Sequence, residues 1–499
     1  MKKSKYILLI IALIFISCDE EFLEEDPKSF IASSNFYQTD DQAISGINAA
    51  YGSLRNEGVR LEFIYMDDVS ADDLVPTPGQ PNDRLQLDRM VYTSEHAYLY
   101  TMWKNQYQGI NRANTALTQL EDGNISTTLA KRLEGEARFL RAFYHFRLVR
   151  WFGDVPLMTE DTRSAEESEL YPSRTPSAEV YAQIIEDLKF AEENLNDKYE
   201  YGNPDYYRAT KGSAKALLAK VYLTMAGYPL NDELKWQLAK EKSQEIIDNK
   251  AKYGYELVDN IADIFNVNKE ASNTEQIWSL PATTGLSVNG WYYTRMKRYF
   301  ITWTSIRPTN EVLGTSEYSS ISIWDDPNDL RRKAALATKS GSGITDVDSV
   351  GVKVVGKYWD AEQDAYARND YPYIRFSEVY YILAEAIVET GGDLDRAMDI
   401  INMFRTRAGV APLSYTDAND IRQIIHDEKR KEFLFEGKRR SDLIRWGEYV
   451  DAMIAHGERQ FGPGNLNEIG HTGERNTLFP LPLTEFIANK NLRPQNFDY

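Results

Sequence analysis

Aromatic side chains are the residues whose type and spacing point to a chemical task. The chain has 9 Trp, 32 Tyr and 20 Phe, and three aromatics stand in a row at Trp291, Tyr292 and Tyr293. Successive side chains of a strand point to opposite faces, so at least one of these rings is expected to be exposed. An exposed ring stacks on the apolar face of a sugar while polar neighbours bond its hydroxyls. The cluster is therefore a candidate carbohydrate platform, with local packing as the alternative.

Further ligand-contact candidates lie in two segments that are rich in Gly, Pro and polar residues. The aromatic candidates in residues 261–370 are Trp303, Trp324 and Trp359. The polar candidates in residues 65–96 are Asp72, Asp73 and Arg84. The alternatives are a turn cap for Trp324 and ordinary solvated charge for the polar three. Long loops inside a compact protein usually carry function, which favours the ligand-binding interpretation.

Residue patterns typical of catalysis are missing from the sequence. The five His show neither HxxH nor HExxH spacing, so no metal site is predicted. GxSxG, GxGxxG and GxxxxGK[ST] are all missing, and no two of the 76 acidic residues stand out as a glycosidase pair. We therefore predict a protein that is not an enzyme and has no cofactor. The net charge of −19 also argues against a nucleic-acid partner.

The N-terminus carries a targeting pattern. Three Lys precede an apolar run from Tyr6 to Ile16, and the small residue Ser17 stands directly before Cys18, the one cysteine of the chain. This pattern resembles a bacterial lipoprotein signal, which implies a signal peptide over residues 1–17 and lipidation of Cys18. The alternative, a membrane-spanning anchor, conflicts with the short apolar run. Residues 18–35 form an acidic tether, interpreted either as an export mark for the cell surface or as a simple linker.

The elements that must position these residues are helices. Buried-type helices are expected at Glu134–Trp151, Ser213–Ala226 and Arg375–Thr390, each followed by a Gly stop and an amphipathic partner. A further pair is expected at Asp41–Leu54 and Tyr98–Leu120. About four such helix-turn-helix units predict a mostly α, tetratricopeptide-like scaffold with long irregular insertions. An irregular helical domain without repeats is the alternative.

The domain organisation follows from these elements. Residues 36–260 are predicted to be an N-terminal helical region with a loop insertion at 65–96. Residues 261–370 are an irregular insertion that is the predicted ligand-binding region, with short strands at Ile277–Leu280 and Val352–Val355. Residues 371–499 are a C-terminal helical region.

A row of acids marks the C-terminal region. Glu428, Glu432 and Glu436 lie one turn apart on one helix face, where like charges repel. Arg439 and Arg445 are the expected counter-cations, in a partly buried ion network that locks the last helices to the scaffold. A catalytic carboxylate row is the alternative.

These residues resemble a known family. The motifs that carry the likeness are Glu428–Gly437, Arg439, Asp442-Leu443, Arg445-Trp446-Gly447, Phe479-Pro480-Leu481-Pro482, Arg138–Ala142 with Phe152–Leu157, and Ala384-Glu385-Ala386. In this order they resemble the SusD/RagB family of outer-membrane nutrient-binding lipoproteins, with departures at Ser441 and Asp498. The resemblance covers essentially the whole chain.

The resemblance implies a function for the whole chain. Such a protein binds oligosaccharides or polysaccharides without catalysis and sits over a SusC-like TonB-dependent transporter. It is lipid-anchored in the outer membrane and exposed at the cell surface. Uptake of peptides or other nutrients by the same architecture is the alternative. The family's matched motifs are structural, and its ligand contacts come from variable insertions.

Overall fold

The helices and strands are given by a computed structural model of the chain. It describes residues 37–55, 63–76, 82–121, 125–162, 166–200, 202–203, 205–280, 296–297, 306–313, 322–340, 343–345, 347–349, 352–358, 366–367, 370–461 and 473–499.

α-Helices make up most of the described residues. They are α1 (Asp40–Gly52), α2 (Asn82–Asp88), α3 (Ala97–Glu121), α4 (Thr127–Phe152), α5 (Glu167–Leu170), α6 (Ser177–Asn194), α7 (Lys211–Ala226), α8 (Leu234–Asp248), α9 (Lys250–Tyr253), α10 (Asn310–Leu313), α11 (Leu330–Ala335), α12 (Phe376–Glu389), α13 (Leu394–Arg407), α14 (Ala418–Glu432), α15 (Arg439–Arg445), α16 (Tyr449–Phe461) and α17 (Leu483–Ala488). A π-helical turn covers Phe63–Val69, and short 3₁₀ turns include Ile261–Phe265 and Val267–Ser272. The mostly α prediction is confirmed.

The long helices pack on one another largely in chain order. α1 packs on α3, α3 on α4, α4 on α6, α6 on α7 and α7 on α8; α8 then packs on α12, which contacts α13 and α14. Contacts between successive helix pairs are typical of helical repeats. The predicted helix-turn-helix units are therefore present, and the insertion between α9 and α12 interrupts the chain without interrupting the stack.

Local sequence features explain where these helices begin and how closely they approach. The hydroxyl of Thr210 caps α7 by accepting from the backbone N–H of Ser213, and the carboxylate of Asp393 caps α13. Gly109 lets α3 approach α4, since a Cβ there would lie 2.5 Å from Cζ of Tyr144. The Tyr144 hydroxyl then donates to the Ala50 carbonyl of α1, 3.1 Å away. One glycine thereby permits a three-helix contact.

The strands are short and antiparallel. They are β1 (Leu74–Pro76), β2 (Gln276–Leu280), β3 (Met296–Lys297), β4 (Ile306–Pro308), β5 (Leu336–Ser340), β6 (Gly343–Thr345), β7 (Val352–Val355), β8 (Tyr366–Ala367) and β9 (Tyr371–Arg375). The pairs are β1–β4, β2–β9 and β3–β8, and β6-β5-β7 form a three-stranded sheet. The two strands expected near 277–280 and 352–355 are confirmed.

A hydrophobic core runs through the helical stack. It extends from Tyr37 to Leu492 in sequence, and a second cluster lies between α12, α13 and α14. Ala216 and Ala219 of α7 are completely buried in it. Among the residues that the structure describes, no helix is both long and apolar enough to cross a membrane.

Candidate ligand-binding site

Strand pairs bring together the ends of the segments in which ligand contacts are predicted. Pro76, the last residue of β1, lies opposite Ile306, the first residue of β4. Leu280 at the end of β2 lies opposite Tyr371 at the start of β9. β3 pairs with β8 in the same antiparallel sense. The two predicted insertions are therefore joined by backbone hydrogen bonds, although more than 200 residues separate β1 from β4 in sequence.

Most of the predicted aromatic platform lies outside the described residues. This applies to Trp291, Tyr292, Tyr293, Trp303 and Trp359, whose ligand-binding role stays a prediction. β3 begins at Met296, three residues after the aromatic triplet, and its partner β8 begins seven residues after Trp359. The described strands therefore link the segments that carry these aromatics.

Trp324 is a packing residue, which corrects the expectation of an exposed ring. Its side chain is buried, and its indole N–H donates to the Val312 carbonyl, 2.9 Å away. The next residue, Asp325, pairs with Lys431 at 2.6 Å and Arg405 at 2.9 Å. The tryptophan thus stabilises the turn that leads towards α11, and neither ring face is available as a stacking platform.

Asp72 and Asp73 lie in the interior, not on an exposed loop as expected. Both side chains are buried. Arg439 Nε donates to the Asp72 carboxylate at 2.7 Å, and Arg430 Nε donates to the Asp73 carboxylate at 2.8 Å. Burial alone would raise the pKa of Asp72, but Arg430 and Arg439 more than offset this effect and lower it. A ligand would have to displace these arginines. Arg84 is half-buried on α2, and its ligand role stays a prediction.

Residues 428–440, called the clamp segment below, hold both insertions on the scaffold. Arg430 and Arg439 bind Asp72 of the first insertion. Glu436 accepts from Lys357 Nζ at 2.6 Å and from Arg375 Nε at 2.8 Å, at the end of the second insertion. The clamp segment therefore fixes the bases of both insertions at once, which is a structural role.

The predicted ion network is present, but its predicted cations were wrong. Arg439 pairs with Asp72, and Arg445 pairs with Glu385 and Asp442. The acidic row is instead neutralised mostly by residues distant in sequence. Glu428 pairs with Arg331, Arg405 and its helix neighbour Lys431, Glu432 with Arg375 and Arg407, and Glu436 with Arg375 and Lys357. Burial alone would raise the pKa of Glu432, but Arg407 and Arg375 outweigh it and lower the pKa to about 2.

Within the described ranges, the carboxyl of Asp68 has no cation at ion-pair distance. Asp68 is buried, and its Oδ2 accepts from the Gly437 N–H of the clamp segment at 2.9 Å. Its Oδ1 has no hydrogen-bond partner among the described residues. Burial raises the pKa of Asp68 well above its ordinary value, and the nearby carboxylate of Asp73 adds to the rise. The protonated form of Asp68 is therefore favoured at this site.

A tyrosine-rich cavity adjoins β2, and sequence reasoning missed it. Its volume is about 290 Å³, and the aromatic residues that line this tyrosine cavity are Tyr199, Tyr206, Tyr207, Tyr253, Tyr255 and Trp278. Asn273 and Gln276 add amide groups to the lining. The Trp278 indole N–H is buried and has no hydrogen-bond partner within the described ranges. The signal in the sequence was the tyrosine density of residues 199–207 and 253–255, two stretches far apart in the chain.

The chemistry of the tyrosine cavity suits a sugar ring. Tyr206 and Tyr207 are half-buried and meet edge to face, with ring centroids 5.1 Å apart. Burial raises the pKa of Tyr199 to about 12, so its hydroxyl keeps its proton at neutral pH and can donate a hydrogen bond. The cavity volume of about 290 Å³ lies just below the range for ligand pockets, about 300–1,000 Å³, which suits a ligand of about one sugar ring. No group of three His, Cys, Asp or Glu residues in the described parts of the chain is arranged to hold a metal ion.

The stacked helix pairs with anchored insertions define a repeat-type α-helical protein, and comparison with known proteins defines its family. Residues 192–499 match the SusD family, and residues 21–223 match a family described as starch-binding and associating with the outer membrane. The first match spans more than half of the chain, so the chain belongs to the SusD family. The resemblance inferred from the motifs is confirmed.

Individual relatives are similar to this chain over most of their length. The chain is similar to SusD-like protein P2 of Formosa agariphila, with 28% identity and 100% of each chain covered. It is also similar to the starch-binding protein SusD of Bacteroides thetaiotaomicron, with 25% identity over 78% of this chain and 76% of the relative. The crystal structure of a SusD homolog from Bacteroides thetaiotaomicron has a TM-score of 0.79 at 22% identity, covering 95% of this chain and 100% of that one. The structural likeness shows a shared fold.

Proposed function

We propose that the protein is a cell-surface lipoprotein that binds oligosaccharides without catalysis and delivers them to a SusC-like TonB-dependent transporter. The observation that carries the glycan-binding part is the tyrosine cavity. Three half-buried tyrosines in its lining, Tyr199, Tyr206 and Tyr207, offer both ring faces and hydroxyl groups. Sugars need these two features together. The cavity adjoins β2, directly before the segment that contains Trp291 and Tyr292.

Family membership supports the same proposal. One of the two matched families is described as starch-binding, and a relative that covers most of this chain is named a starch-binding protein. The description of that family as associating with the outer membrane agrees with the lipoprotein-like signal that ends at Cys18. Lipidation of Cys18 and surface exposure are proposed from the N-terminal pattern, and delivery to a transporter from the family likeness.

The glycan-binding part is tested by calorimetry with a panel of neutral and acidic oligosaccharides. We expect binding of at least one of them, abolished when Trp291 and Tyr292 are both replaced by Ala. Loss of one well-buried aromatic contact costs about 2 kcal/mol or more, which is roughly 30-fold in affinity. Tyr206→Ala in the tyrosine cavity should also weaken binding. Tyr171→Ala removes an exposed aromatic outside this cavity and serves as the control.

Salt dependence then separates neutral from acidic ligands. Binding of a neutral sugar should change little between low and high salt, whereas an anionic sugar held by Arg295, Lys297 and Arg298 should weaken steeply. If the double variant binds as tightly as wild type, the predicted aromatic platform is not the site. If no glycan binds but peptides do, the glycan proposal fails in favour of peptide uptake.

Anchoring and partnership need separate tests in cells. Cys18→Ala should move the protein out of the membrane fraction, and the wild-type protein should be accessible to protease on whole cells. Unchanged membrane fractionation of the variant would contradict lipidation. Affinity purification of the detergent-solubilised full chain should recover a TonB-dependent transporter, and recovery of the chain alone would contradict the partnership.

A further inference from the structure

A second cavity lies between the end of α4 and the C-terminal residues. Its volume is about 510 Å³, and its lining comes from α4, α6, α15 and residues 477–497, among others. The apolar part of the wall includes Val149, Tyr181, Leu230, Ile444 and Leu478. Arginines supply much of the polar part, so we call it the arginine cavity. Its volume falls within the range of pockets that enclose a small organic molecule.

Arg150 lines this cavity without a directly bound carboxylate. Its Nη1 donates to the Ser441 hydroxyl at 2.8 Å, and its Nε has no hydrogen-bond partner among the described residues. The guanidinium carbon lies 4.6 Å from the ring centre of Phe146. Ser441 links Arg150 to a carboxylate, because the Ser441 hydroxyl in turn donates to Asp67 at 3.3 Å. Arg150 therefore retains hydrogen-bonding capacity at the cavity.

Arg174 lines the same cavity and is bound by neutral acceptors alone. Its three nitrogens donate to the Asp154 carbonyl at 2.8 Å, the Pro494 carbonyl at 2.7 Å and the Asn496 side-chain oxygen at 2.5 Å. Arg493 is exposed at the cavity, with its guanidinium 5.4 Å from the ring centre of Phe486. In the part of the chain that the structure describes, none of these three arginines has a carboxylate at ion-pair distance.

The other charged side chains of the lining, Arg445 and Asp154, have partners within the protein. Arg445 is neutralised by Glu385 and Asp442. The carboxylate of Asp154 accepts from the Ser177 N–H at 2.8 Å, at the start of α6. Asp154 supplies one negative charge against Arg150, Arg174 and Arg493, so the lining keeps an excess of positive charge in a protein whose net charge is −19.

Arg150 and Arg174 are half-buried, so their guanidinium groups have lost part of their hydration. A buried cation loses hydration and is normally compensated by an opposite charge, as Arg375 is by Glu436. Burial lowers the pKa values of Arg150 and Arg174, and the nearby carboxylates of Asp67 and Asp154, respectively, offset this effect only in part. Guanidinium groups bind carboxylate, phosphate and sulfate oxygens through charge-assisted hydrogen bonds. The apolar walls would bind the rest of such a ligand.

We propose that the arginine cavity binds an amphipathic organic anion. Its carboxylate, phosphate or sulfate group binds Arg150 and Arg174, and its apolar body packs on Val149, Tyr181 and Leu230. Two sources share this chemistry: an alkyl acid derived from lipid, and an aromatic acid of the kind esterified to polysaccharides. This inference is independent of the proposed glycan function, because it concerns different residues.

Calorimetry of the full chain with four probes tests the ligand class. Octanoate and cinnamate should bind, and octylammonium and acetate should bind at least about tenfold more weakly, because each lacks one of the two required features. Tighter binding of octanoate would support the lipid-derived source, and tighter binding of cinnamate the aromatic source. Equal binding of octylammonium, or equal binding of acetate, would overturn the proposal.

Variants then place the ligand. Arg150→Gln and Arg174→Gln should each weaken octanoate or cinnamate binding about tenfold or more, since each removes a charged donor. Arg396→Gln removes the same charge from an exposed position of α13 and should leave binding unchanged. If Arg150→Gln does not fold, Leu230→Asp tests the wall by adding a repelling charge. Unchanged binding in Arg174→Gln and Leu230→Asp would show that the ligand lies elsewhere and would overturn the proposal.

Discussion

Arg375 and Glu436 form a two-pronged ion pair that is completely buried. Nε of Arg375 lies 2.8 Å from Oε2 of Glu436, and Nη2 lies 2.8 Å from Oε1. Arg375 ends β9 immediately before α12, and Glu436 lies in the clamp segment after α14. The hydroxyl of Tyr371, at the other end of β9, donates to the Glu436 carbonyl at 2.7 Å. The end of the second insertion is thus fixed to the clamp segment by both ends of one strand.

Removing Arg375 should be severely destabilising. Arg375→Met would leave the carboxylates of Glu275, Glu432 and Glu436 without their shared partner, although Lys357 and Arg407 would remain nearby. Breaking a buried ion pair by removing one partner costs about 3–5 kcal/mol. We expect a loss of that size in the free energy of unfolding, measured by urea denaturation. Arg375→Lys should also lose stability, because a lysine cannot reproduce the two-pronged geometry.

Arg396→Met provides the matched control for this change, since Arg396 is exposed on α13. It should alter the free energy of unfolding by less than about 0.5 kcal/mol. Equal stability of Arg375→Met and Arg396→Met would show that the buried network does not hold the insertion.

The close approach of helices around α7 gives a second prediction. Ala219 is completely buried on α7, which packs between α6 and α8. Overpacking a buried position typically costs about 1–3 kcal/mol and occasionally more. Ala219→Trp should therefore lower the melting temperature clearly in differential scanning calorimetry.

Ala182→Trp on α6 controls for the aromatic substitution itself, because Ala182 is exposed. It should melt close to wild type. A melting temperature for Ala219→Trp within a degree of wild type would mean that α7 is not tightly packed at this point.

The helical scaffold was predictable because its signals are local. Gly153 and Gly391 both adopt positive φ, +71° and +61°, at the ends of α4 and α12, where the sequence predicted stops. The apolar run at Ser213–Ala226 became α7 with almost the predicted bounds. Periodicity and glycine stops act within about one helix length, and a sequence displays them directly.

The ion pairs of Glu432 and Glu436 were not predictable, because they join residues distant in sequence. Arg439 was chosen as a partner for the acidic row since it is close in sequence, yet Arg375 is the residue that the fold brings to Glu436. Asp72 looked like a loop charge because Gly and Pro residues follow it. It is buried because β1 pairs with β4, a contact between residues more than 200 positions apart that no local pattern displays.

The acidic row gives the protein a dependence on acid pH. The pKa of Glu432 is lowered to about 2, from an ordinary value near 4.5, because Arg407 and Arg375 outweigh the effect of burial. Its contribution to stability is fully present above pH 4.5 and is lost as the pH falls from 4.5 through 2. Between pH 6 and pH 3 this one group should cost about 2 kcal/mol of the free energy of unfolding. Urea denaturation at both pH values measures the loss.

Two variants isolate this carboxyl from the others that titrate in the same range. Glu432→Gln should lose about 2 kcal/mol less than wild type between pH 6 and pH 3, although it starts from a lower stability. Glu193→Gln changes an exposed carboxyl of α6 and should follow the wild-type profile. The same pH dependence in all three proteins would contradict a lowered pKa at Glu432.

The pH dependence of stability that Asp68 contributes should have the opposite sign to that of Glu432. Its pKa is raised, chiefly by burial and further by Asp73, so the folded state holds a proton that the unfolded state releases near pH 3.8. Its contribution therefore weakens stability as the pH rises above 3.8 towards the folded pKa.

Asn at this position is neutral at every pH, and its amide oxygen can still accept from the Gly437 N–H. Asp68→Asn should thus raise the free energy of unfolding at pH 8 by about 1 kcal/mol or more, with a smaller gain at pH 5. Asp399→Asn, at an exposed position of α13, should change stability little at either pH. A variant Asp68→Asn that is less stable than wild type at pH 8 would mean that the carboxylate is charged and needed, and that the clamp segment binds the first insertion through it.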